Sequence, residues 1–215
     1  MHMRLSSTNS LTWMSSNNIY GRGLQNSGPL TGKEKEMSRV ILFISRNKDN
    51  THVPNFKSRS MSFLSDKPNE ELLKDFLSFV DKGLPHEFCR FYMGINEVNE
   101  TKVKKELAKF LIDEAVCPTN WKLENINNKM VSLAGKIENK ITKRWLFDCD
   151  TDDETVKKFI HEIRDRVKVS NVYGTPHGSA VVTERGFDTR GIIEKYPDIE
   201  LKKDAPLCYA WKANE

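Results

Sequence analysis

Two aspartates separated by one cysteine are the strongest candidates for chemistry in this 215-residue sequence. Asp148 and Asp150 come directly after the apolar run Trp145-Leu146-Phe147, which is typical of a buried strand. Side chains alternate along a strand, so both carboxylates are expected on one face and close together. Like charges at such a distance are unfavourable unless a proton or a cation neutralises them.

A divalent cation is one neutralising partner for this pair. Hard cations such as Mg²⁺ and Mn²⁺ prefer carboxylate oxygens and leave coordination positions for substrate phosphates. Two such ions can stabilise the attacking and leaving oxygens of a phosphoryl displacement. The alternative interpretation is structural: a solvated strand end, followed by the capping sequence Thr151 to Glu154, whose acids Asp152, Asp153 and Glu154 suit the start of the next helix.

Two later segments carry further candidate ligands. The Gly174–Gly178 segment is a Gly/Pro turn whose backbone N–H groups suit phosphate, and His177 within it is a candidate contact to phosphate or metal. Asp204 is a candidate third carboxylate, and Lys202 and Lys203 are candidates for neutralising phosphate charge. A surface turn and a solvated charge run are the structural alternatives for these two segments.

The elements that position these residues alternate between strands and helices. Apolar patterning predicts strands at residues 40–45, 61–64, 88–96, 144–150, 180–183 and 207–211. It predicts helices at residues 70–80, from a capping sequence at 151–154 to about 166, and near 189–195, and a further helix capped by Asn99. Residues 117–139 fit a helix, a loop or an insertion. Because the connecting loops are uneven, we expect an α+β fold rather than a doubly wound parallel sheet.

Composition predicts one cytoplasmic domain behind a flexible tail. Residues 1–36 are rich in Ser, Asn and Gly without periodicity, so we expect a flexible N-terminal tail before a single domain at 37–215. No apolar run approaches the roughly 18 residues of a membrane helix, and the N-terminus lacks the apolar region of a signal peptide. The four cysteines are scattered without CxxC spacing and are expected to be reduced. A net charge of +4 permits an acidic ligand without requiring one.

The order of these motifs resembles the archaeo-eukaryotic primase-like (primase-polymerase) proteins, and more narrowly small phage and bacterial proteins of that type. The resemblance covers about residues 39–211. It rests on Phe147-Asp148-Cys149-Asp150, on Thr175-Pro176-His177-Gly178, on Asp204 before the last strand, and on the upstream run Arg90-Phe91-Tyr92-Met93-Gly94-Ile95-Asn96.

This resemblance implies a compact primase-like core of two small α/β modules, the second similar to an RNA-recognition fold. It also implies template-directed nucleotidyl transfer with two metal ions, a role in DNA replication, and a phage-encoded protein acting in the host cytoplasm. By position, Asp148 and Asp150 would form the first metal motif and Asp204 the third. The family pattern places a nucleotide-contacting His two residues after the turn glycine, where this sequence has Ala180. That departure suggests altered or lost polymerase activity.

The first hypothesis is a metal-dependent nucleotidyltransferase, in which a 3′-hydroxyl attacks the α-phosphorus of a nucleoside triphosphate. Its metal ligands for Mg²⁺ or Mn²⁺ are Asp148, Asp150 and Asp204. Its phosphate contacts are His177, Arg185, Arg190, Lys202, Lys203 and Arg90. The same carboxylates suit a nuclease or phosphodiesterase that uses water as the nucleophile.

The second hypothesis is a catalytically inactive protein of the same fold that binds nucleotides or nucleic acid. Arg90, Phe91 and Tyr92 would then form a charged stacking surface for single-stranded DNA or RNA. Ala180 favours this hypothesis. For Phe91, a place in the hydrophobic core is the alternative.

Overall fold

Two antiparallel sheets organise residues 37–214, the part of the chain that the structure, a computed structural model, describes. The predicted tail at residues 1–36 lies outside the described residues. The strands in this range are β1 (Met37–Ser45), β2 (Arg59–Ser65), β3 (Phe88–Gly94), β4 (Val98–Asn99), β5 (Trp145–Cys149), β6 (Val169–Thr175), β7 (Gly178–Thr183), β8 (Ile199–Lys202) and β9 (Pro206–Ala213). The α-helices are α1 (Asn69–Asp81), α2 (Glu100–Val116), α3 (Ile126–Ala134), α4 (Asp153–Ile163) and α5 (Ile192–Lys195). The α+β class and the absence of parallel pairing in the described sheets confirm the expected fold class.

The first sheet has the strand order β2-β1-β3-β9, with β4 paired to β1. Helix α1 covers one face of it, because the apolar residues of α1 recur at helical spacing and form one buried stripe. Phe43 and Phe91 point toward this helix, and the ring centroid of Phe43 lies 5.4 Å from that of Phe76. Side chains alternate along β3, so Arg90 and Tyr92 lie on the opposite face of the sheet from Phe91.

Helices α2 and α3 form a layer beside this sheet. Helix α2 begins after Asn99, whose side chain accepts a hydrogen bond from Lys102 N at 3.2 Å, so the predicted cap is confirmed. Residues 117–139 contain α3, which packs Leu133 against Val103 and Leu107 of α2. Among residues 37–214, no helix combines the length and the apolar composition that a membrane crossing requires.

The second sheet has the strand order β6-β7-β5-β8 and is built from one continuous stretch of chain. Its elements follow the order β5-α4-β6-β7-α5-β8, so the connectivity is β-α-β-β-α-β. Helix α4 packs Phe159 and Ile163 against Phe147 on one face. Apolar patterning did not predict strand β6 or strand β8. The sequence predicts a turn at residues 174–178 in the first region and a single last strand in the second.

The two sheets meet through a small apolar cluster on the face of the second sheet that α4 leaves open. Leu146 of β5 and Val182 of β7 pack there against Ile95 and Leu207 of the first sheet region. Alternation along β5 therefore directs Phe147 and Cys149 toward α4, and Leu146 and Asp148 toward the first sheet. Asp148 thus lies beside the contact between the two sheets.

Candidate functional site

The carboxylate pair lies where β5 ends. Asp148 is half-buried within the strand, and Asp150 is exposed just after it. The strand stops there because Asp152 caps helix α4, accepting a hydrogen bond from Thr155 N at 2.9 Å. Cys149 points away from the pair into the core beneath α4. Burial, together with the charge of Asp148, raises the pKa of its thiol to about 12, which supports packing rather than nucleophilic catalysis.

Lys202 of β8 is the direct partner of Asp148. Its Nζ lies 2.6 Å from Asp148 Oδ2 and 3.2 Å from Glu200 Oε2. The hydrogen bond to Asp148 is the main reason that the pKa of Lys202 is raised. The register explains the contact: Asp148 pairs with Glu200 and Leu146 with Lys202, so the Lys202 side chain reaches Asp148 diagonally across the sheet.

The turn between β6 and β7 packs against the backbone of the carboxylate pair. Thr175 pairs with Gly178, which leaves Pro176 and His177 as a two-residue turn with the His177 side chain exposed. A Cβ atom at Gly178 would overlap the carbonyl oxygen of Cys149 and lie 3.2 Å from the Cα of Asp150. Only glycine permits this close approach, so the turn and the end of β5 form one unit.

Ala180 lies directly opposite Asp148. The two residues are paired in the β5–β7 register, and Ala180 is 1% exposed. Paired residues of neighbouring strands share a face, so a longer side chain at this position would project beside the carboxylate. The position where the family pattern has a histidine therefore adjoins Asp148, and in this chain it carries only a methyl group.

Two arginines share one carboxylate on the first sheet. Arg46 Nε lies 2.7 Å from Asp49 Oδ2, and Arg90 Nη2 lies 2.9 Å from Asp49 Oδ1. The Arg90 side chain is 11% exposed, and its Nε is buried without a hydrogen-bond partner among residues 37–214. The guanidinium also lies 5.4 Å from the ring centroid of Phe88.

Cys208 connects this arginine pair to the carboxylates. Burial raises the pKa of the Cys208 thiol to about 11; the charges of Arg90 and Arg46 oppose that rise, and Asp148 adds to it. Cys208 therefore lies within electrostatic reach of Arg46 and Arg90 and also of Asp148. Tyr92 is paired with Cys208 across β3 and β9. We call this group the arginine–carboxylate site and define it as Arg46, Asp49, Arg90, Tyr92, Asp148, Asp150 and Lys202.

Asp204, the candidate third ligand, lies away from the carboxylate pair. Its Oδ1 accepts a hydrogen bond from Asn96 Nδ2 at 2.7 Å, and its Oδ2 lies 3.2 Å from Lys140 Nζ. Extending the β5–β8 register places position 204 beside position 144, four residues along β5 from Asp148. At about 3.3 Å per residue that separation is about 13 Å. The structure therefore does not bring Asp204 to the pair.

Three predicted phosphate contacts also lie away from Asp148. Lys203 places its Nζ 5.0 Å from the ring centroid of Trp145, at the start of β5 rather than its end. Arg185 is exposed beyond the end of β7 that pairs with Trp145. Arg190 is 91% exposed and pairs with Asp188 at 2.6 Å. Of the six predicted contacts, Lys202 is the one that touches Asp148. His177 lies in the turn that packs against the end of β5, and Arg90 lies within electrostatic reach of Cys208.

The donor set suits one hard cation rather than a cage of protein ligands. No group of three or more His, Cys, Asp or Glu residues within the described range is arranged to hold a metal. Asp148 and Asp150 remain as two carboxylates at a strand end, and Asp150 is exposed. Mg²⁺ is commonly bound through one or two carboxylates together with substrate phosphates and water, and the pair fits that pattern.

Sequence reasoning missed Arg46 and Asp49. Both follow the apolar strand β1 at a spacing of three residues, in the short 3₁₀ turn at Asn47–Asp49. A charged pair directly after a buried strand is a signal that the sequence offered. Its partner Arg90 comes from a distant strand, which the sequence alone does not place beside it.

No protein-family model, curated protein or solved structure matches this chain. The resemblance to primase-like proteins therefore stays a prediction, and the site is interpreted from its own geometry and chemistry.

Proposed function

We propose that this protein binds a nucleoside triphosphate together with Mg²⁺ or Mn²⁺ at the arginine–carboxylate site, and that its activity is nucleotidyl transfer of the primase-polymerase type. The observation that carries the proposal is the placement of Asp148. This carboxylate lies at a strand end next to the Thr175–Gly178 turn, and its charge acts on Cys208, the same buried thiol that the charges of Arg46 and Arg90 reach.

The arginine pair supplies the positive charge that phosphate recognition needs. Two guanidinium groups share the single carboxylate of Asp49, so this part of the site carries an excess of positive charge. Guanidinium groups donate paired hydrogen bonds to phosphate oxygens. The buried Nε of Arg90 lacks an acceptor among the described residues, so it is a donor that a bound anion would satisfy.

The carboxylate pair supplies the oxygen ligands. Asp148 and Asp150 are the hard donors that Mg²⁺ and Mn²⁺ prefer, and such an ion contributes by neutralising phosphate charge during transfer. Lys202 holds Asp148 in place and adds a positive charge beside it. The role of the protein groups is therefore to orient the triphosphate and to balance its charge.

The connectivity of the second sheet supports the same interpretation. The order β-α-β-β-α-β with strand order β6-β7-β5-β8 is the ferredoxin-like arrangement, to which RNA-recognition folds also conform. This agrees with the second module expected of a primase-like core. Fold alone does not assign function, so the proposal depends on the site.

Binding without turnover is the second candidate. Ala180 faces Asp148 at the position where the primase-like pattern has a histidine, and Asp204 lies about four residues along the sheet from the pair. A protein with this site would hold single-stranded DNA or RNA against Arg90 and Tyr92 and carry out no transfer.

Calorimetric titration with a nucleoside triphosphate and Mg²⁺ or Mn²⁺ tests the proposal. We expect metal-dependent binding to the natural protein and its loss in the Asp148→Asn/Asp150→Asn double variant. Asp165→Asn, an exposed carboxylate at the end of α4, is the matched control and should bind normally. Equal binding by the double variant, or no binding by the natural protein, would overturn the proposal.

A primer-extension assay with a single-stranded template then separates the two candidates. Extension that requires Asp148 and Asp150 supports the transferase. Metal-dependent binding without extension supports the second candidate.

A further inference from the structure

A cavity lined by two arginines lies between the two sheets, apart from the arginine–carboxylate site. It has a volume of about 150 Å³. Arg39 of β1, Arg144 before β5 and Tyr173 of β6 line it, together with Ser170 and Asn171. None of the residues of the arginine–carboxylate site lines this cavity. It is therefore a separate feature of the fold.

Arg39 belongs to the face of the first sheet that carries α1. It alternates in phase with Ile41, which is buried against that helix, and its Nη2 donates to Asn69 Oδ1 at 3.1 Å. Within residues 37–214, no carboxylate lies at ion-pair distance from Arg39. Most of its N–H donors thus lack a protein acceptor in the described part of the chain.

Arg144 is also weakly neutralised. Its Nη2 lies 3.7 Å from Glu97 Oε1, beyond hydrogen-bond distance, and its Nη1 donates to the carbonyl oxygen of Ile95 at 3.3 Å. The side chain is 36% exposed, so it is only partly shielded by the protein. Two guanidinium groups therefore line this cavity, and one carboxylate, Glu97, lies at ion-pair distance from Arg144.

Tyr173 adds a neutral donor between these charges. Its hydroxyl accepts a hydrogen bond from Asn171 Nδ2 at 2.9 Å, and its own proton has no acceptor among the described residues. Burial raises the pKa of Tyr173, whereas the charges of Arg144 and Arg39 act in the opposite direction. Both arginines are thus within electrostatic reach of the phenol, whose O–H is free to donate to an anion.

We propose that this cavity binds a phosphate group, held by Arg39 and Arg144 from opposite sheets and by the hydroxyl of Tyr173. Two guanidinium groups match the double negative charge of a phosphate or phosphate monoester, and their paired N–H groups fit its oxygens. The volume corresponds to roughly ten water positions, which accommodates one phosphate group together with several waters. Inorganic phosphate and the terminal phosphate of a nucleotide or a 5′-phosphorylated strand share this chemistry.

Such a ligand would join the two sheets. Arg39 comes from the first sheet, and Tyr173 from the second. Binding would therefore stabilise the relative position of the sheets, and with it the arginine–carboxylate site. This inference does not depend on the proposed function, because its residues and its ligand are separate from those of Asp148 and Asp150.

The test is titration of the full chain with inorganic phosphate, followed by ³¹P NMR or calorimetry. We expect saturable binding that weakens about tenfold in Arg39→Gln, a change consistent with loss of one charge-assisted contact. Arg39→Lys keeps the charge without the planar fork and should give an intermediate affinity. Arg164→Gln, an exposed arginine at the end of α4, is the control and should bind as the natural protein does.

Two further variants make the result decisive. Tyr173→Phe removes only the hydroxyl and should weaken phosphate binding several-fold with the fold intact. Asp148→Asn/Asp150→Asn should leave phosphate binding unchanged, which separates this cavity from the proposed nucleotide site.

The source of the phosphate group is identified by comparing the affinities of inorganic phosphate, a nucleoside monophosphate and a 5′-phosphorylated oligonucleotide. The proposal would be overturned if the natural protein showed no saturable binding. It would also be overturned if Arg39→Gln and Tyr173→Phe both bound phosphate as tightly as the natural protein does.

Discussion

Lys202 Nζ donates to Asp148 Oδ2 at 2.6 Å, so the carboxylate proposed to bind a cation already has a positively charged partner. The side chains are 35% and 26% exposed, which makes this a partly solvated pair. A divalent ion at Asp148 must therefore share the carboxylate with Lys202 or displace its ammonium group. The same ammonium is positioned to attract phosphate, so Lys202 has opposite effects on the two proposed ligands.

Replacing Lys202 by methionine separates these two effects. We expect Lys202→Met to bind Mn²⁺ alone more tightly, by up to about fivefold, because a partly exposed ion pair contributes at most ~1 kcal/mol. Binding of the nucleoside triphosphate should weaken. Electron paramagnetic resonance of free Mn²⁺ and nucleotide calorimetry measure the two affinities. Lys203→Met is the matched control, since that side chain lies over Trp145. Unchanged Mn²⁺ affinity in Lys202→Met would contradict cation binding at Asp148.

The contact between Gly178 and the end of β5 predicts a clear difference between two glycines. Gly178→Ala places a methyl group against the carbonyl oxygen of Cys149, which is backbone and yields little. We expect a loss of about 1–3 kcal/mol in the free energy of unfolding, the usual range for forced overpacking. Gly174→Ala is the control, because nothing lies within 4 Å of its added Cβ. Urea denaturation measures both, and similar stabilities would show that the turn does not pack as described.

Glu87 and Arg59 predict how stability depends on pH. Glu87 is 2% exposed, and its Oε1 lies 2.6 Å from Arg59 Nε. Burial alone would raise the pKa of Glu87, but hydrogen bonds from Leu84 N and Arg59 outweigh it and lower the pKa. A lowered pKa in the folded state gives stability that is fully present above the ordinary glutamate pKa of about 4.3. That stability is lost as the pH falls through the lowered pKa that Glu87 has in the folded state.

Glu87→Gln tests this assignment. At neutral pH the free energy of unfolding of the variant should be about 2 kcal/mol lower than that of the natural protein, because Arg59 loses its charged partner. Below the ordinary glutamate pKa the difference from the natural protein should shrink. Glu194→Gln, an exposed residue of α5, is the control and should follow the natural protein at every pH. A constant difference at all pH values would exclude Glu87 as the titrating group.

The cysteines predict a pattern of chemical labelling. Cys117 is exposed, whereas Cys89, Cys149 and Cys208 are buried, and all are free thiols. Burial raises the pKa of each of the three buried thiols, so their reactive thiolate forms are scarce at neutral pH. We expect one thiol to react rapidly with a thiol reagent in the native protein. Cys117→Ser should abolish this fast phase, and all remaining thiols should react in denaturant. A persistent fast phase would place a second cysteine at the surface.

The local parts of the site could be predicted from the sequence. The apolar run before Asp148, the cap at Asn99 and the helix at 70–80 each follow from the spacing of neighbouring residues. The sequence also contains a signal for the short strand β8, because apolar and charged side chains alternate along Ile199, Glu200, Leu201 and Lys202.

The convergence of distant residues could not be predicted in this way. The order of the motifs along the chain predicts Asp204, ahead of the last strand, as a third ligand beside Asp148. The antiparallel register of β5 and β8 sends it to the opposite end of the strand. The pairing of Asp49 with both Arg46 and Arg90 likewise depends on how β1 lies against β3. Register between strands is set by the packing of whole faces, and single motifs do not encode it.

The position of β9 has a consequence for how the chain assembles. This strand pairs with β3, yet the whole second sheet lies between the two in sequence. During synthesis, the edge of β3 therefore remains unpaired until the second sheet has left the ribosome. Contacts that close such long stretches of chain form slowly, and an open strand edge is prone to pair with other chains in the meantime. Early folding of the β5–β8 unit would shorten that interval by bringing residues 206–213 back toward β3.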